Sequence, residues 1–274
     1  MVYFLLPLTG IFVGLLSTIF GVGGGIIAVP ILYLLFPKIS PQLVISSSMG
    51  MIFINSILNT PNFSKQGKKI SIKNILPFTI GMALGVTSGV KVVKEVSPET
   101  IKIYFGITVL LVAFKVLLSK ANKNNNVKSW TPSTDTPEVI KYLISCYLGG
   151  FIAGTTGLGG GAILVPIFIS LLMIPYNWVS FLSNICMGSG ALVGILIFLI
   201  SPLSTGSSLP NGLSLFQVNS VNFALITLLS SGALISSKWG VKISENMEPQ
   251  TSKRLFATLL FVVSIKILYN SFSF

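Results

Sequence analysis

The sequence predicts an all-α polytopic membrane protein built from two inverted-topology repeats. Each repeat holds about five hydrophobic segments and a glycine-broken or re-entrant helix. Three observations carry this expectation: the chain is poor in charge, one glycine motif occurs twice, and the lysines change loops between the two copies.

Of 274 residues, 52% are hydrophobic and 9% are charged, and the mean hydropathy is +0.87. A soluble domain carries about 25% charged residues. So few charges cannot solvate a chain of this size, which excludes a water-soluble enzyme. Low hydrophobicity is the signature of disorder, so disorder is excluded too. A membrane barrel would alternate polar and apolar residues along each strand, and the long apolar runs here point to helices instead.

The chain has 18 Lys and Arg, 6 Asp and Glu and no His, for a net charge of +12. The lysines sit in short loops between apolar runs. They read as topology signals and anionic-lipid contacts, and nucleic acid is not an expected partner. The acids are Glu95, Glu99, Asp135, Glu138, Glu245 and Glu248, all in predicted loops or loop edges. No membrane segment holds a carboxylate or His, the usual intramembrane proton relays and cation ligands. A site made of backbone amides and hydroxyls, with Lys in reserve, suits an anionic or neutral substrate.

The segments follow from the apolar runs. The first repeat, 1–120, offers 3–20, 25–36, 43–60, 72–92 and 99–119. The N-terminal run lacks a basic start and a small-residue cleavage site, so it reads as a retained first helix. A polar linker, 121–137, is rich in Asn, Ser, Thr and Pro and reads as a surface connection. The second repeat, 138–274, offers 138–156, 161–174, 178–200, 217–238 and 252–270. The second segment of each repeat is too short to cross a bilayer, which takes about 20 residues.

The repeats align residue by residue. GVGGGIIAVP from Gly21 matches GLGGGAILVP from Gly157, an offset of 136 that also pairs Ser47 with Ser183 and Met51 with Met187. Later the offset is 151, pairing Gly81 with Gly232, Pro98 with Pro249 and Lys115 with Lys266. The difference fits an insertion near Ser201–Gln217. The loop after the third segment carries Lys65, Lys68, Lys69 and Lys73 in the first repeat and no charge in the second. Equivalent loops then lie on opposite faces, which makes the repeats inverted. The linker is expected in the cytoplasm and both termini outside, with the chain in the inner cell membrane. Loop 91–102, with three Lys against two Glu, runs against this scheme.

The glycine motif is the first candidate site. Gly23, Gly24 and Gly25, with Gly159, Gly160 and Gly161, precede short helices whose free N–H groups and dipole suit an anion. The same pattern can serve only to pack helices closely. On the third segments, Ser47, Ser48, Ser183 and Asn184 are hydroxyl and amide donors for oxyanion oxygens, or helix–helix hydrogen bonds. Gln42, Ser46, Asn55 and Asn59 are further polar positions there. Lys115 and Lys266 read as snorkelling cations or as buried counter-charges. Cys146 and Cys186 lie inside apolar segments and imply no disulfide framework; they read as small fillers. Gly81, Gly85 and Gly89, with Gly232, Ser236 and Gly240, read as close-packing stripes. There is no catalytic constellation, metal-ligand cluster or phosphate loop, so neither an enzyme nor a cofactor is expected.

The paired motifs at Gly21–Pro30 and Gly157–Pro166, each followed by a hydroxyl-bearing helix, resemble the sulfite exporter TauE/SafE family, also called the 4-toluene sulfonate uptake permease family. The resemblance covers nearly the whole chain. It implies a multi-pass permease for small sulfur-containing anions such as sulfite, thiosulfate or organosulfonates. It also implies that Gly23–Gly25, Gly159–Gly161 and the Ser and Asn positions of the third segments line the pathway. Members often carry His or Arg after the third segment, where this chain has Lys65, Lys68 and Lys69. The expected mechanism is alternating access by rocking of one repeat against the other. The rival readings are a sulfur-relay or assembly protein working through Cys186 and Cys146, and a passive anion channel.

Overall fold

The computed structural model describes residues 2–20, 24–37, 39–65, 70–118, 130–202, 209, 211–246 and 249–272. Helices α1 (Val2–Phe20), α2 (Gly25–Leu35), α3 (Pro41–Lys65), α4 (Ile72–Glu95) and α5 (Pro98–Leu118) form the first half. In the second half, α6 (Thr136–Thr156), α7 (Gly161–Ser170) and α8 (Tyr176–Ile200) come first. A single turn, α9 (Asn211–Ser214), and a hairpin of β1 (Gln217–Val218) and β2 (Val221–Asn222) follow, and α10 (Phe223–Asn246) and α11 (Pro249–Phe272) close the chain. Among the described residues, α3, α4, α6 and α8 contain stretches long and apolar enough to cross a membrane. The protein is an all-α polytopic membrane protein. Leu84, Leu111, Leu196 and Val262 are exposed on the outside of the bundle, as lipid contact requires.

Local chemistry sets several boundaries. Ser40 precedes Pro41, and its Oγ accepts from the Leu43 amide at 3.3 Å, so a cap and an N1 proline start α3. Ser97 and Pro98 repeat the pattern at α5, where the Thr100 amide donates to Ser97 Oγ. Helices α2 and α7 have 11 and 10 residues, shorter than a crossing.

The apolar run expected as a segment from Gln217 begins instead as a hairpin, with the helix starting at Phe223. Gln217 pairs with Asn222 and Val218 with Val221, and Asn219 takes a left-handed conformation (φ 50) in the two-residue turn. Ser46 Oγ donates to the Ser220 carbonyl at 2.6 Å, and Asn219 donates to that of Leu199 at 2.7 Å. These bonds tie the hairpin to the start of α3 and the end of α8. Asn222 then caps α10: its Oδ1 accepts from the Leu225 amide at 2.9 Å and its Nδ2 donates to Leu213 at 2.8 Å. Asn222→Ala is expected to lower stability by about 1–2 kcal/mol, read as a drop in the thermal midpoint in detergent.

Each half uses its helices in the same way. Helix α1 packs on α10 and α6 packs on α4, while α3 meets α8 and α5 meets α11. Replacing each element by its counterpart reproduces this set of pairs. Glycine contacts give the directions. Gly81, Gly85 and Gly89 meet Leu143, Tyr147 and Phe151 in order, so α4 and α6 run parallel. Gly10 meets Leu229 and Gly14 meets Ala233, so α1 and α10 are parallel as well. By contrast, Met49 meets Gly194 while Ser56 meets Gly188, so α3 and α8 are antiparallel. Gly106 packs on Leu268, and Phe114 packs edge-on against Phe261, which makes α5 and α11 antiparallel.

Candidate functional site

Both short helices start the same way. Gly24 and Gly160 precede α2 and α7 with φ 77 at each, a left-handed conformation that a side chain would strain. Gly24 O accepts from the Ala28 amide at 2.9 Å, and Gly160 O accepts from that of Leu164 at 2.7 Å. The Ile27 amide also donates to Gly24 O at 3.1 Å and the Ile163 amide to Gly160 O at 3.0 Å, which leaves only the first two amides of each helix outside its hydrogen-bond ladder. Gly157, at φ 72, ends α6 and donates its amide to Ala153 O at 2.8 Å. Gly24, Gly25 and Gly157–Gly161 are all buried. Gly23 lies outside the described residues.

The two turns touch. A methyl group on Gly25 would lie 2.5 Å from the Gly157 carbonyl oxygen and 2.9 Å from the Leu158 carbonyl carbon. The start of α2 therefore rests directly on the turn of the other half. Ser48 Oγ donates to the same Gly157 oxygen at 2.7 Å, so α3 also reaches across. Ile52 covers the junction with its side chain between Gly25 and Gly159.

The third-helix candidates separate by what their polar atoms do. Ser48 already donates its hydroxyl hydrogen bond to Gly157 O. Asn184 Nδ2 donates to Ser56 O at 3.1 Å and to Thr60 Oγ1 at 3.2 Å, and Ser56 Oγ donates back to Asn184 O at 2.7 Å. These bonds hold α3 against α8. Ser183 is buried. Ser47 is fully buried and its Oγ has no hydrogen-bond partner. An unsatisfied buried hydroxyl costs about 1–3 kcal/mol, so Ser47 is the candidate with a donor to spare.

Asn55 is half-buried and Asn59 is exposed, away from the turns. Ser46 and Gln42 serve the hairpin, with Ser220 Oγ donating to Gln42 Oε1 at 3.3 Å. Lys266 is exposed near the end of α11; Lys115 lies on α5, with its side chain outside the described set. Sequence reasoning missed Thr155 and Thr156, buried hydroxyls at the end of α6. The Leu158 amide donates to Thr156 Oγ1 at 3.3 Å, which braces the turn. Their counterparts at an offset of 136 are Ile19 and Phe20, so the signal was an asymmetry between otherwise matched motifs. Cys146 and Cys186 are free, buried, and in side-chain contact with each other. Their counterparts are Gly10 and Gly50, which marks them as positions that demand small residues. Among the described residues, every buried polar side chain is Ser, Thr, Asn or Gln.

A sequence profile described as sulfite exporter TauE/SafE matches residues 6–267. The chain belongs to that family. A probable membrane transporter protein of Haemophilus influenzae is 29% identical over 99% of this chain and 97% of its own length. One from Bacillus subtilis is 25% identical, covering 98% of both chains. Another from Methanocaldococcus jannaschii is 25% identical over 96% of this chain and 94% of its own. No solved structure matches. As a TauE/SafE member the protein is a multi-pass membrane transporter, and the shared length places both glycine turns inside the matched region.

Proposed function

We propose that this TauE/SafE protein is a permease for small sulfur-containing anions, working by alternating access around the paired glycine turns. The observation that carries the reading is the meeting of Gly25 with the Gly157 carbonyl, deep in an interior whose described buried polar groups are all uncharged. Two half-helices start at that junction, and their first-turn amides with the Ser47 hydroxyl supply donors for an oxyanion without a competing carboxylate. Ser183 and the Gly159–Gly161 backbone are the corresponding groups of the second half.

The antiparallel crossing of the equivalent helices α3 and α8, and of α5 and α11, supports an inverted repeat, because a twofold along the membrane normal would leave equivalents parallel. The charges support an orientation. The lysine-bearing end of α3 lies beside the start of α8, while the uncharged hairpin lies at the other end. With the lysines inside, the linker is cytoplasmic and both termini are outside. Trp130, near the end of the linker, packs on Trp178 at the start of α8, in keeping with that side.

The test is flux of radiolabelled sulfite, thiosulfate and sulfoacetate into proteoliposomes. Saturable uptake of at least one anion is the expected result, with Ser47→Ala lowering its apparent affinity about ten-fold, the effect of losing one donor to a charged group. No saturable flux of any of the three overturns the reading. Contact between the two thiols is the one observation favouring a sulfur relay. Undiminished flux in a C146A/C186A variant removes that rival.

A further inference from the structure

Helix contacts in this fold are of two kinds. On α4, a methyl group at Gly81, Gly85 or Gly89 would strike the carbonyl oxygens of Leu143, Tyr147 or Phe151 of α6. Gly150 and Gly154 of α6 do the same to Met82 and Val86 of α4. On the other side, Gly10 of α1 lies on the Leu229 carbonyl and Gly232 of α10 lies on that of Pro7. In these pairs backbone rests on backbone. No rotamer change can relieve or follow a displacement, so the pairs are stiff.

The contacts between equivalent helices differ. Gly194 of α8 faces the Met49 thioether, Gly188 faces the Ser56 side chain, and Gly106 of α5 faces the end of Leu268 on α11. Side chains fill these seams: Met49 and Leu268 can repack as the helices slide, and the Ser56–Asn184 hydrogen bonds are the contacts that must exchange for α3 to move on α8. The buried apolar residues divide along the same lines. One cluster is drawn mainly from α1, α2, α5, α10 and α11 and the other mainly from α4, α6, α7 and α8; α3 contributes to both, Leu43 and Met51 to the first and Ile45, Met49 and Ile52 to the second, and Ile101 of α5 and Ile226 of α10 cross over to the second.

From this we infer that the moving bodies are not the two sequence repeats but two exchanged lobes, one carried by the α1–α10 pair and the other by the α4–α6 pair. Each lobe takes the first helix of one repeat and the fourth helix of the other. The α3–α8 and α5–α11 seams are where motion occurs, and the Gly25–Gly157 contact joins the lobes at the proposed site. This inference rests on the alternating-access reading and replaces repeat-against-repeat rocking with lobe-against-lobe motion. Fusing or separating the halves in sequence does not change what moves, because each lobe already contains both halves.

Spin labels on exposed, lipid-facing positions test it in the full chain, with the buried native cysteines retained and shown not to label. Phe12 with Ile235 and Leu84 with Leu148 report within lobes; Leu111 with Val262 and Ile57 with Leu192 report across seams. Distances by electron paramagnetic resonance are compared without anion and with sulfite, thiosulfate or sulfoacetate. The expected result is narrow, unchanged distributions within lobes and broad or shifted ones across at least one seam. Within-lobe distances that shift, or seam distances that stay narrow and fixed in every condition, overturn the inference. Flux on the same labelled proteins is scored separately. Flux with fixed seams sinks the lobes alone, and mobile seams without flux of any anion sink the substrate reading alone.

Discussion

Gly85→Val is expected to be the most damaging single substitution in the bundle. A side chain there would drive into the Tyr147 carbonyl oxygen and reach within 2.7 Å of the Phe151 amide nitrogen. Overpacking against side chains typically costs 1–3 kcal/mol, and here the obstacle is backbone at successive turns of a parallel pair. The loss should reach about 3 kcal/mol or more, read by thermal or SDS unfolding, or as failure to accumulate in the membrane. Gly106→Ala is the comparison. Its methyl meets only the end of Leu268, and the loss should stay near 1 kcal/mol. Equal losses at the two positions would show that the stripe does not set the approach of α4 to α6.

Gly25→Ala should have the largest effect on transport. Gly25 is the first residue of α2 and has ordinary helical backbone, so alanine suits its conformation. The backbone conflict is with the other half, 2.5 Å to the Gly157 oxygen and 2.9 Å to the Leu158 carbonyl carbon; within its own half the methyl meets only the tip of the Ile52 side chain, at 2.9 Å. The variant is expected to fold with a loss of about 1–3 kcal/mol and to transport at least ten-fold more slowly per folded molecule. Gly160→Ala separates tip contact from turn geometry. Its φ of 77 strains any L side chain by about 1–2 kcal/mol, while its methyl would meet Met82 Cε at 3.0 Å and Gly149 O at 3.2 Å, not the opposite turn. Wild-type flux in Gly25→Ala would mean that the touching turns play no part in the pathway.

Much of the helix plan was legible because lipid removes the ambiguity of apolar runs: an unpaired backbone cannot face hydrocarbon, so each long run must be a helix. The break before Gly25 and that before Gly161 were readable from the glycine runs and the shortness of what followed. The start of α10 was not. Val218 and Val221 extend the apolar run, and only Asn219 in a left-handed turn and Asn222 as a cap separate hairpin from helix. Those are local signals, and hydropathy averages over them.

The polar positions of the third helices were legible as residues, and their hydrogen-bond partners were not. Ser48 and Asn184 occupy equivalent positions and both look like donors, yet one serves Gly157 and the other Ser56 and Thr60. Ser47 differs from them only in having no partner, a property of its surroundings. Cys146 and Cys186 are 40 residues apart on different helices, and no spacing rule announces that their thiols meet.

By itself the sequence determined the membrane class, the duplicated motif, the glycine turns and the lack of charge inside, because composition and periodicity act over a single stretch of chain. Only the tertiary structure decided that the start of α2 touches the turn of the other half, that α1 joins α10 and α4 joins α6, and that among the third-helix candidates the Ser47 hydroxyl is left uncommitted. Those outcomes depend on which backbones can approach each other across more than a hundred residues, and a glycine stripe states that something comes close without stating what.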